Sequence, residues 1–219
     1  MIITAIERTR GRRGRVDVYV DGQPRLQLGR EFVRTRQMRP GDLIEPEQID
    51  ALAEADARQS AMQAAAAMLA RRQHSERELR RKLSMRRMAA DVIDETVEKL
   101  RAARLIDDAE FARGWVQARD EGSPRGRRLL TQELRARGVQ VHVAASAVAA
   151  VSDEEAVHRA AERRARSLAS LEYPVFRARM ASFLQRRGFG WEESRAAIDL
   201  CWRERGGAPV ADDFADGIG

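Results

Sequence analysis

The sequence predicts a mainly α fold, in which a small β-containing N-terminal segment precedes three copies of a three-helix unit stacked as an elongated solenoid. Two observations lead to this prediction. An apolar skeleton recurs three times at offsets of about 50 residues, with no gap inside the block. With 34% charged and 5% aromatic residues, the 219-residue chain is also polar for a compact globule and suits an extended, mostly helical protein.

The first 45 residues predict a small β-rich unit. Val16 to Val20 alternates apolar and polar side chains, Asp21-Gly22 is a strong hairpin signal, and the alternation resumes at Arg25 to Leu28. Ile2 to Ile6 is the expected first strand. A sheet this short needs a surface to pack against, and we expect the following helices to provide it.

The loop between the first two predicted strands is basic. Arg10, Arg12 and Arg13 lie there beside Gly11 and Gly14. These side chains could contact phosphates, and an ordinary solvated loop is the alternative, because a charge cluster alone supplies only non-specific attraction.

The remaining chain divides into five predicted segments. Residues 46–60 are an acidic linker helix, for which Pro46 fits the first turn. Residues 61–107, 108–152 and 153–205 are the three repeats. Residues 206–219 have no periodic core and are expected to be disordered.

Each repeat has a leading helix, a second helix, a break and a third helix. The leading helices are expected at Ala61 to Arg71, Ala109 to Arg119 and Glu154 to Leu171. Gly138 and Gly188 lie at the break in the second and third copies and suit a left-handed C-cap, whereas Arg87 lies there in the first. The aligned apolar positions are Leu79, Leu83, Met88, Val97 and Leu100; Leu130, Leu134, Val139, Val148 and Val151; and Met180, Leu184, Phe189, Ile198 and Cys201.

The second helix of the first copy carries the strongest positive charge. Ser75 and Glu78 form a capping-box pattern, so we expect the helix to begin at Ser75. Leu79 and Leu83 then face inward, and the outward positions are Arg77, Arg80, Arg81 and Ser84. The equivalent residues are Arg128, Thr131, Gln132 and Arg135 in the second copy, and Ala178, Ala181, Ser182 and Gln185 in the third. The basic surface therefore declines toward the C-terminal copy, where arginines lie on the leading helix instead, at Arg159, Arg163, Arg164 and Arg166.

The overall charge favours a polyanionic or acidic partner. The formal net charge is +6, and Lys82 and Lys99 are the only lysines. Arginine binds phosphate and carboxylate through two hydrogen bonds, although a GC-rich coding bias is an alternative reason for its abundance.

The residues needed for most catalytic and metal sites are missing from the pattern. His74, His142 and His158 lack partners at ligand spacing, so we expect no metal, and no phosphate-binding or nucleophile motif indicates a cofactor or an enzyme. Asp107-Asp108 is interpreted as a helix cap.

The single cysteine and the hydropathy pattern bear on the compartment. Cys201 cannot form a disulfide within the chain and is expected to be a buried thiol in a reducing compartment. With no long apolar run and no signal-type N-terminus, we expect a cytoplasmic protein.

The break between second and third helices also suggests a helix-turn-helix. The third helices argue against this motif. The third helix is acidic in the first copy and apolar in the second, so neither helix would pack well against the phosphates that line a major groove. Arginines on the second helices, without aromatic residues between them, favour sequence-independent contact. A solvated helix face is the alternative for each arginine.

Three stretches in order, RRQHSERELRRKL, RLIDDAEFARGWVQAR and GRRLLTQELRARGV, resemble the RecX family of bacterial recombination regulators. The resemblance implies a curved stack of three-helix repeats that lies along the groove of the RecA nucleoprotein filament. It also implies inhibition of filament growth, strand exchange, ATP hydrolysis and LexA-type co-cleavage, and DNA binding. The chain departs from the family pattern at Arg87-Met88 and Arg104-Leu105, where glycine is common, and in the added proline turn at Gly122 to Gly126.

The partners expected from this resemblance are RecA, its filament, and single- and double-stranded DNA without sequence preference, bound by a monomer. A sequence-independent DNA-binding protein or a helix-turn-helix-like transcription factor that acts without RecA is the alternative. The candidate RecA- or DNA-binding residues are Arg71, Arg72, Arg77, Arg80, Arg81, Arg125, Arg128 and Arg135.

Overall fold

A computed structural model describes residues 1–206, so the predicted disordered tail lies outside the described residues except for Gly206. The chain forms two compact units, Met1–Ile106 and a second that begins at Asp107. The elements of the first unit are β1 (Ile3–Arg8), β2 (Arg15–Val20), β3 (Gln23–Gly29), α1 (Arg30–Thr35), α2 (Pro46–Leu69), α3 (Glu76–Ser84) and α4 (Ala90–Ala102). Those of the second are α5 (Asp108–Gly122), α6 (Arg127–Ala136), α7 (Val141–Val148), α8 (Asp153–Ala165), α9 (Tyr173–Arg186) and α10 (Trp191–Glu204), with a 3-10 turn at Arg166–Leu168.

The N-terminal strands form an antiparallel sheet in the order β1-β2-β3. Asp21 and Gly22 connect β2 to β3 with φ angles of 49° and 79°, as a two-residue type I′ turn requires. The predicted hairpin and the predicted first strand are therefore confirmed. The short helix α1, which buries Phe32 and Val33, was not predicted.

The sheet packs against the first half of α2. Ile49, Leu52 and Ala55 lie against its apolar core, which confirms that a following helix covers the sheet. The prediction separated an acidic linker helix at residues 46–60 from a leading helix that starts at Ala61, but α2 is one unbroken helix of 24 residues. No glycine or proline interrupts it after Pro46, so its backbone hydrogen bonds continue from the sheet into the first repeat.

Each three-helix repeat has its own hydrophobic core. In every copy the second helix buries two apolar residues four positions apart, which are Leu79 and Leu83, Leu130 and Leu134, and Met180 and Leu184, each at most 2% exposed. The other aligned apolar positions are buried or pack on the core as partly buried side chains. The predicted apolar skeleton and the mainly α class with three three-helix units are confirmed.

The break after each second helix is a Schellman motif. The third residue after α3 and the second after α6 and α9 has positive φ, 60° at Arg87, 90° at Gly138 and 84° at Gly188. The next amide donates to the carbonyl of the buried leucine five residues earlier, at 3.1 Å from Val139 to Leu134 and at 3.3–3.4 Å in the other two copies. Arginine thus takes the left-handed conformation in the first copy that glycine takes in the others, and the predicted C-caps are confirmed.

The second and third repeats join closely within the second unit. The Gly126 amide donates to the Arg187 carbonyl at 2.9 Å, and the Arg187 guanidinium donates to the Ser123 hydroxyl and the Pro124 carbonyl. A Cβ on Gly188 would lie 2.5 Å from the Leu129 Cβ, a separation that side chains do not tolerate. Glycine is therefore required at this break for two reasons, positive φ and close approach.

A buried histidine connects α2 to α3. His74 is 4% exposed, and its Nδ1 lies 3.1 Å from the Glu78 carboxylate, which also accepts a hydrogen bond from Arg72 at 3.0 Å. Burial lowers the pKa of His74 below its ordinary value, although the Glu78 hydrogen bond acts in the opposite direction.

Cys201 is a buried thiol, as the sequence predicted. Cys201 lies in the core of the third repeat, where burial raises the pKa of its thiol to about 11. Within residues 1–206, no helix combines the length and the apolarity that crossing a bilayer requires.

We predict that Gly188→Ala destabilises the protein by about 2 kcal/mol or more, because the new Cβ adds strain at positive φ to a clash with Leu129. Chemical denaturation measures the free energy of unfolding. Gly206→Ala is the control, since Gly206 also has positive φ but a Cβ there would meet no atom of the described residues within 4 Å, and it should cost only the roughly 1–2 kcal/mol of the left-handed conformation. The clash with Leu129 should make Gly188→Ala at least about 1 kcal/mol more costly than this control. Equal effects in both variants would show that the Leu129 contact is unimportant.

We predict that the stability of the first unit falls as the pH drops below the unfolded-state pKa of histidine, about 6.5. Because the folded-state pKa of His74 is lowered, the unfolded chain binds the proton first, and stability is fully present only above that pH. The loss for this one proton is at most about 1.4 kcal/mol per pH unit. Denaturation between pH 5 and 7.5 should show a shallower dependence in His74→Gln, whereas His142→Gln, which changes an exposed histidine, should match the parent protein.

Candidate functional site: the exposed arginines of the second helices

Helix α3 presents two arginines to solvent. The Ser75 hydroxyl accepts a hydrogen bond from the Glu78 amide at 3.2 Å, which fixes the start of the helix as expected. Arg77 and Arg81 lie four residues apart on the face opposite Leu79 and Leu83, and both are exposed. Neither forms an ion pair with any residue that the structure describes, so both guanidinium groups remain available for a partner.

Arg80 lies at the edge of this face rather than in its centre. It is half-buried and forms ion pairs with Glu76 at 2.8 Å and with Asp94 of α4. Glu76 also binds Arg101 of α4 at 2.5 Å. Burial alone would raise the pKa of Glu76, but the hydrogen bonds from Arg101 and Arg80 outweigh it and lower the pKa. Arg80 therefore connects α3 to α4, a contact that the single-helix projection could not anticipate.

The two arginines that follow α2, Arg71 and Arg72, also divide into one unpaired and one paired side chain. Arg71 is exposed and has no ion pair among the described residues, whereas Arg72 binds Glu78 and the Gln73 carbonyl at 2.8 Å. Only Arg71 of this pair thus resembles Arg77 and Arg81.

Helix α6 carries the corresponding surface of the second unit. Arg128 and Arg135 are seven residues apart, which places them on one helix face, and both are exposed without an ion pair among the described residues. The equivalent positions on α9 are Ala178 and Gln185, so the third repeat has no such charge there.

Arg125 belongs to a partly buried network instead. Its guanidinium pairs with Glu133, which also accepts hydrogen bonds from the Trp115 indole at 2.8 Å and from Arg119 at 3.3 Å. The guanidinium groups of Arg119 and Arg137 both lie over the Trp115 ring, at 4.2 Å and 3.7 Å from its centroid. Burial lowers the pKa of Arg125. Carboxylate, ring and three guanidinium groups together hold α5 to α6.

The arginines of α8 also serve the fold. Arg159 pairs with Asp120, and Arg163 donates to the carbonyls of Glu121 and Gly122, both at 3.0 Å. Arg164 lies over the Phe183 ring, 5.5 Å from its centroid. The contacts of Arg159 and Arg163 hold the third repeat to the second, and Arg163 binds carbonyls at the end of α5 that lack partners within that helix. Arg164 instead packs on α9 of its own repeat.

The acidic pair at the start of α5 is a helix cap. Asp107 accepts hydrogen bonds from the amides of Glu110 and Ala109 at 3.1 and 2.7 Å, and these hold its pKa below the usual value. The expected cap is confirmed. Among residues 1–206, no group of histidine, cysteine, aspartate or glutamate side chains is arranged to hold a metal ion.

Two further exposed arginines were not among the candidates. Arg86 and Arg87 follow α3 at its Schellman break and have no ion pair among the described residues. The signal was available in the sequence, because consecutive arginines at a break cannot both face a core.

Comparisons with known proteins agree with the three-helix fold. Models of the RecX first, second and third three-helix domains match residues 61–100, 107–148 and 152–198 respectively. A solved RecX from Lactobacillus salivarius is similar with a TM-score of 0.58 and 23% identity, covering 67% of this chain and 97% of the other. Another solved structure, of a regulatory protein RecX, has a TM-score of 0.54 at 19% identity, with 95% of each chain covered. Both support the fold.

Sequence relatives are named regulatory protein RecX. That of Pelodictyon phaeoclathratiforme is 32% identical over 140 residues, which cover 64% of this chain and 88% of the relative. That of Mycobacteroides abscessus is 38% identical over 87 residues, 40% of this chain and 43% of the relative. That of Geobacillus thermodenitrificans is 29% identical over 171 residues, 77% of this chain and 64% of the relative. The three domain matches in sequence order and the extent of these alignments show that the chain belongs to the RecX family.

Proposed function

We propose that this chain is a non-enzymatic regulator that binds RecA and its nucleoprotein filament and mostly inhibits filament growth, recombination, ATP hydrolysis and co-protease activity. Since RecA acts on chromosomal DNA, the proposal places the protein in the cytoplasm. The curved stack that lies along the filament groove stays a prediction of the family resemblance.

One observation carries the proposal. Arg77 and Arg81 of α3, and Arg128 and Arg135 of α6, are exposed on the helix faces opposite the cores and form no ion pair within the described residues. Desolvating such a group against a carboxylate or phosphate of a partner requires no existing pair to be broken. Arg71 extends this set in the first unit. These five arginines are the proposed contacts, and Arg72, Arg80 and Arg125 are proposed to support them by fixing neighbouring elements.

The arrangement favours recognition of charge rather than of base sequence. Arg77 and Arg81 have no aromatic neighbour on their face of α3. Asp91 and Glu98 of α4 are exposed carboxylates that would repel a phosphate backbone. The third helix of this repeat is thus unsuited to the major groove. Sequence-independent DNA binding without RecA is the second candidate, supported by the same unpaired arginines.

We predict that Arg77→Glu/Arg81→Glu weakens inhibition of RecA ATP hydrolysis by about tenfold or more, because two attractive contacts become repulsive. The measurement is the concentration of protein that halves the steady-state ATPase rate of RecA on single-stranded DNA. Arg25→Glu/Arg39→Glu, which makes the same change in charge at two other exposed residues of the first unit, should inhibit like the parent protein.

Two results would contradict the proposal. If the parent protein leaves RecA filament assembly and ATP turnover unchanged over a wide concentration range, RecA is not its partner. If the folded α3 variant inhibits fully, the contact lies elsewhere. A salt titration with and without RecA separates the second candidate, since binding to DNA alone falls steeply as salt rises.

A further inference from the structure

The N-terminal sheet lies before residue 61, where the first of the three matched three-helix domains begins. One end of this sheet collects arginines. Arg8 ends β1 opposite Val16, and Arg30 follows β3, where its amide donates to the Gly14 carbonyl at 2.9 Å. Between them runs the arginine loop, residues 9–14, with Arg10, Arg12 and Arg13. Because neighbouring strands lie about 4.8 Å apart, Arg8 and Arg30 flank this loop.

Hydrogen bonds to β2 and β3 hold the arginine loop in a defined conformation. The Thr9 hydroxyl donates to Asp17 at 2.8 Å, and Gln27 donates to the same carboxylate oxygen at 3.0 Å. Arg12 donates to the Gln27 side-chain oxygen at 2.8 Å. Gly11 and Gly14 have φ angles of 72° and 81° and allow the chain to turn back toward β2. The loop therefore holds its arginines at one end of the sheet through contacts to β2 and β3.

Three carboxylates near the arginine loop already bind other groups of the fold. Asp56 is 2% exposed and binds Arg15 at 2.7 Å and the Gly29 amide at 2.8 Å. Asp17 accepts from Gln27 and Thr9, which hold its pKa below the usual value. Glu31 binds Arg34.

The arginines themselves remain unpaired. Four arginines at this end of the sheet are exposed and have no ion pair among the described residues, namely Arg8, Arg10, Arg13 and Arg30. Glu7 is the remaining exposed carboxylate of β1. Four unpaired arginines against this one carboxylate leave a local excess of positive charge in the described part of the fold.

We propose that the arginine loop binds the phosphate backbone of nucleic acid without sequence preference, as a contact separate from the second-helix arginines. Phosphates spaced along a strand match several guanidinium groups on one short loop better than a single carboxylate does. The loop contains no aromatic residue on which a base could stack, so the contact is to phosphate and carries no base recognition. The inference does not depend on RecA being the partner of α3 and α6.

The test compares three full-length proteins, the parent, Arg10→Gln/Arg13→Gln and Arg25→Gln/Arg39→Gln. The two variants lose the same charge from exposed arginines of the same unit. Binding to a 20-bp duplex and to a 20-nucleotide oligothymidylate is measured by fluorescence anisotropy between 50 and 200 mM NaCl. For the loop variant, the slope of log K against log salt should decrease by about 1.8 on duplex and about 1.4 on single strand, since two phosphate contacts are lost. The control variant should keep the parent slope.

Each remaining outcome overturns the proposal. No measurable DNA binding by the parent protein, an unchanged slope in the loop variant, or an equal decrease in the control would do so, and the RecA proposal would still stand. A loop variant that binds DNA normally but no longer inhibits RecA would assign the loop to a protein surface instead. Circular dichroism and thermal unfolding of both variants confirm that the sheet is intact.

Discussion

Each three-helix unit depends on one apolar pair, four residues apart on its second helix. Leu79 and Leu83 in the first repeat, like their counterparts in the others, are almost completely removed from water. Burying two such side chains stabilises a repeat by about 3–6 kcal/mol relative to leaving them exposed. Their spacing also determines which face of the helix is turned outward. The exposure of Arg77 and Arg81 is therefore a direct consequence of core packing.

The Schellman break extends the same constraint to the third helix. In every copy the carbonyl of the second buried residue of the pair accepts the amide that follows the left-handed position. That hydrogen bond directs the chain back across the core, where the third helix adds its own apolar residues. Arg87 accepts a conformation that costs an L residue about 1–2 kcal/mol, and the hydrogen-bond geometry that it shares with the other two copies shows that the motif tolerates this cost.

Arginine has two separate uses in this chain. One group of arginines forms hydrogen bonds or ion pairs within the fold, namely Arg80, Arg125, Arg159, Arg163 and Arg187. A second group projects into solvent, namely Arg77, Arg81, Arg128 and Arg135. Net charge alone does not distinguish these uses. The proposed binding surfaces are defined by the arginines that the fold leaves unpaired, which is a smaller set than the sequence suggested. In the first unit the arginine loop adds a second such set, distant in sequence from α3.

The sequence by itself determined the strands, the hairpin turn, the repeat of three helices and the buried skeleton, because spacing at 2 and 3.6 residues reports local geometry directly. It also determined the caps at Ser75 and Asp107, which depend on residues within one turn. Only the tertiary structure decided that α2 is continuous from the sheet into the first repeat, and that α1 exists. It alone decided which arginines are free, since Asp94 and Glu133 reach Arg80 and Arg125 from another helix or from further along the chain. Contacts of that kind depend on how helices pack against each other, and helical periodicity contains no information about them.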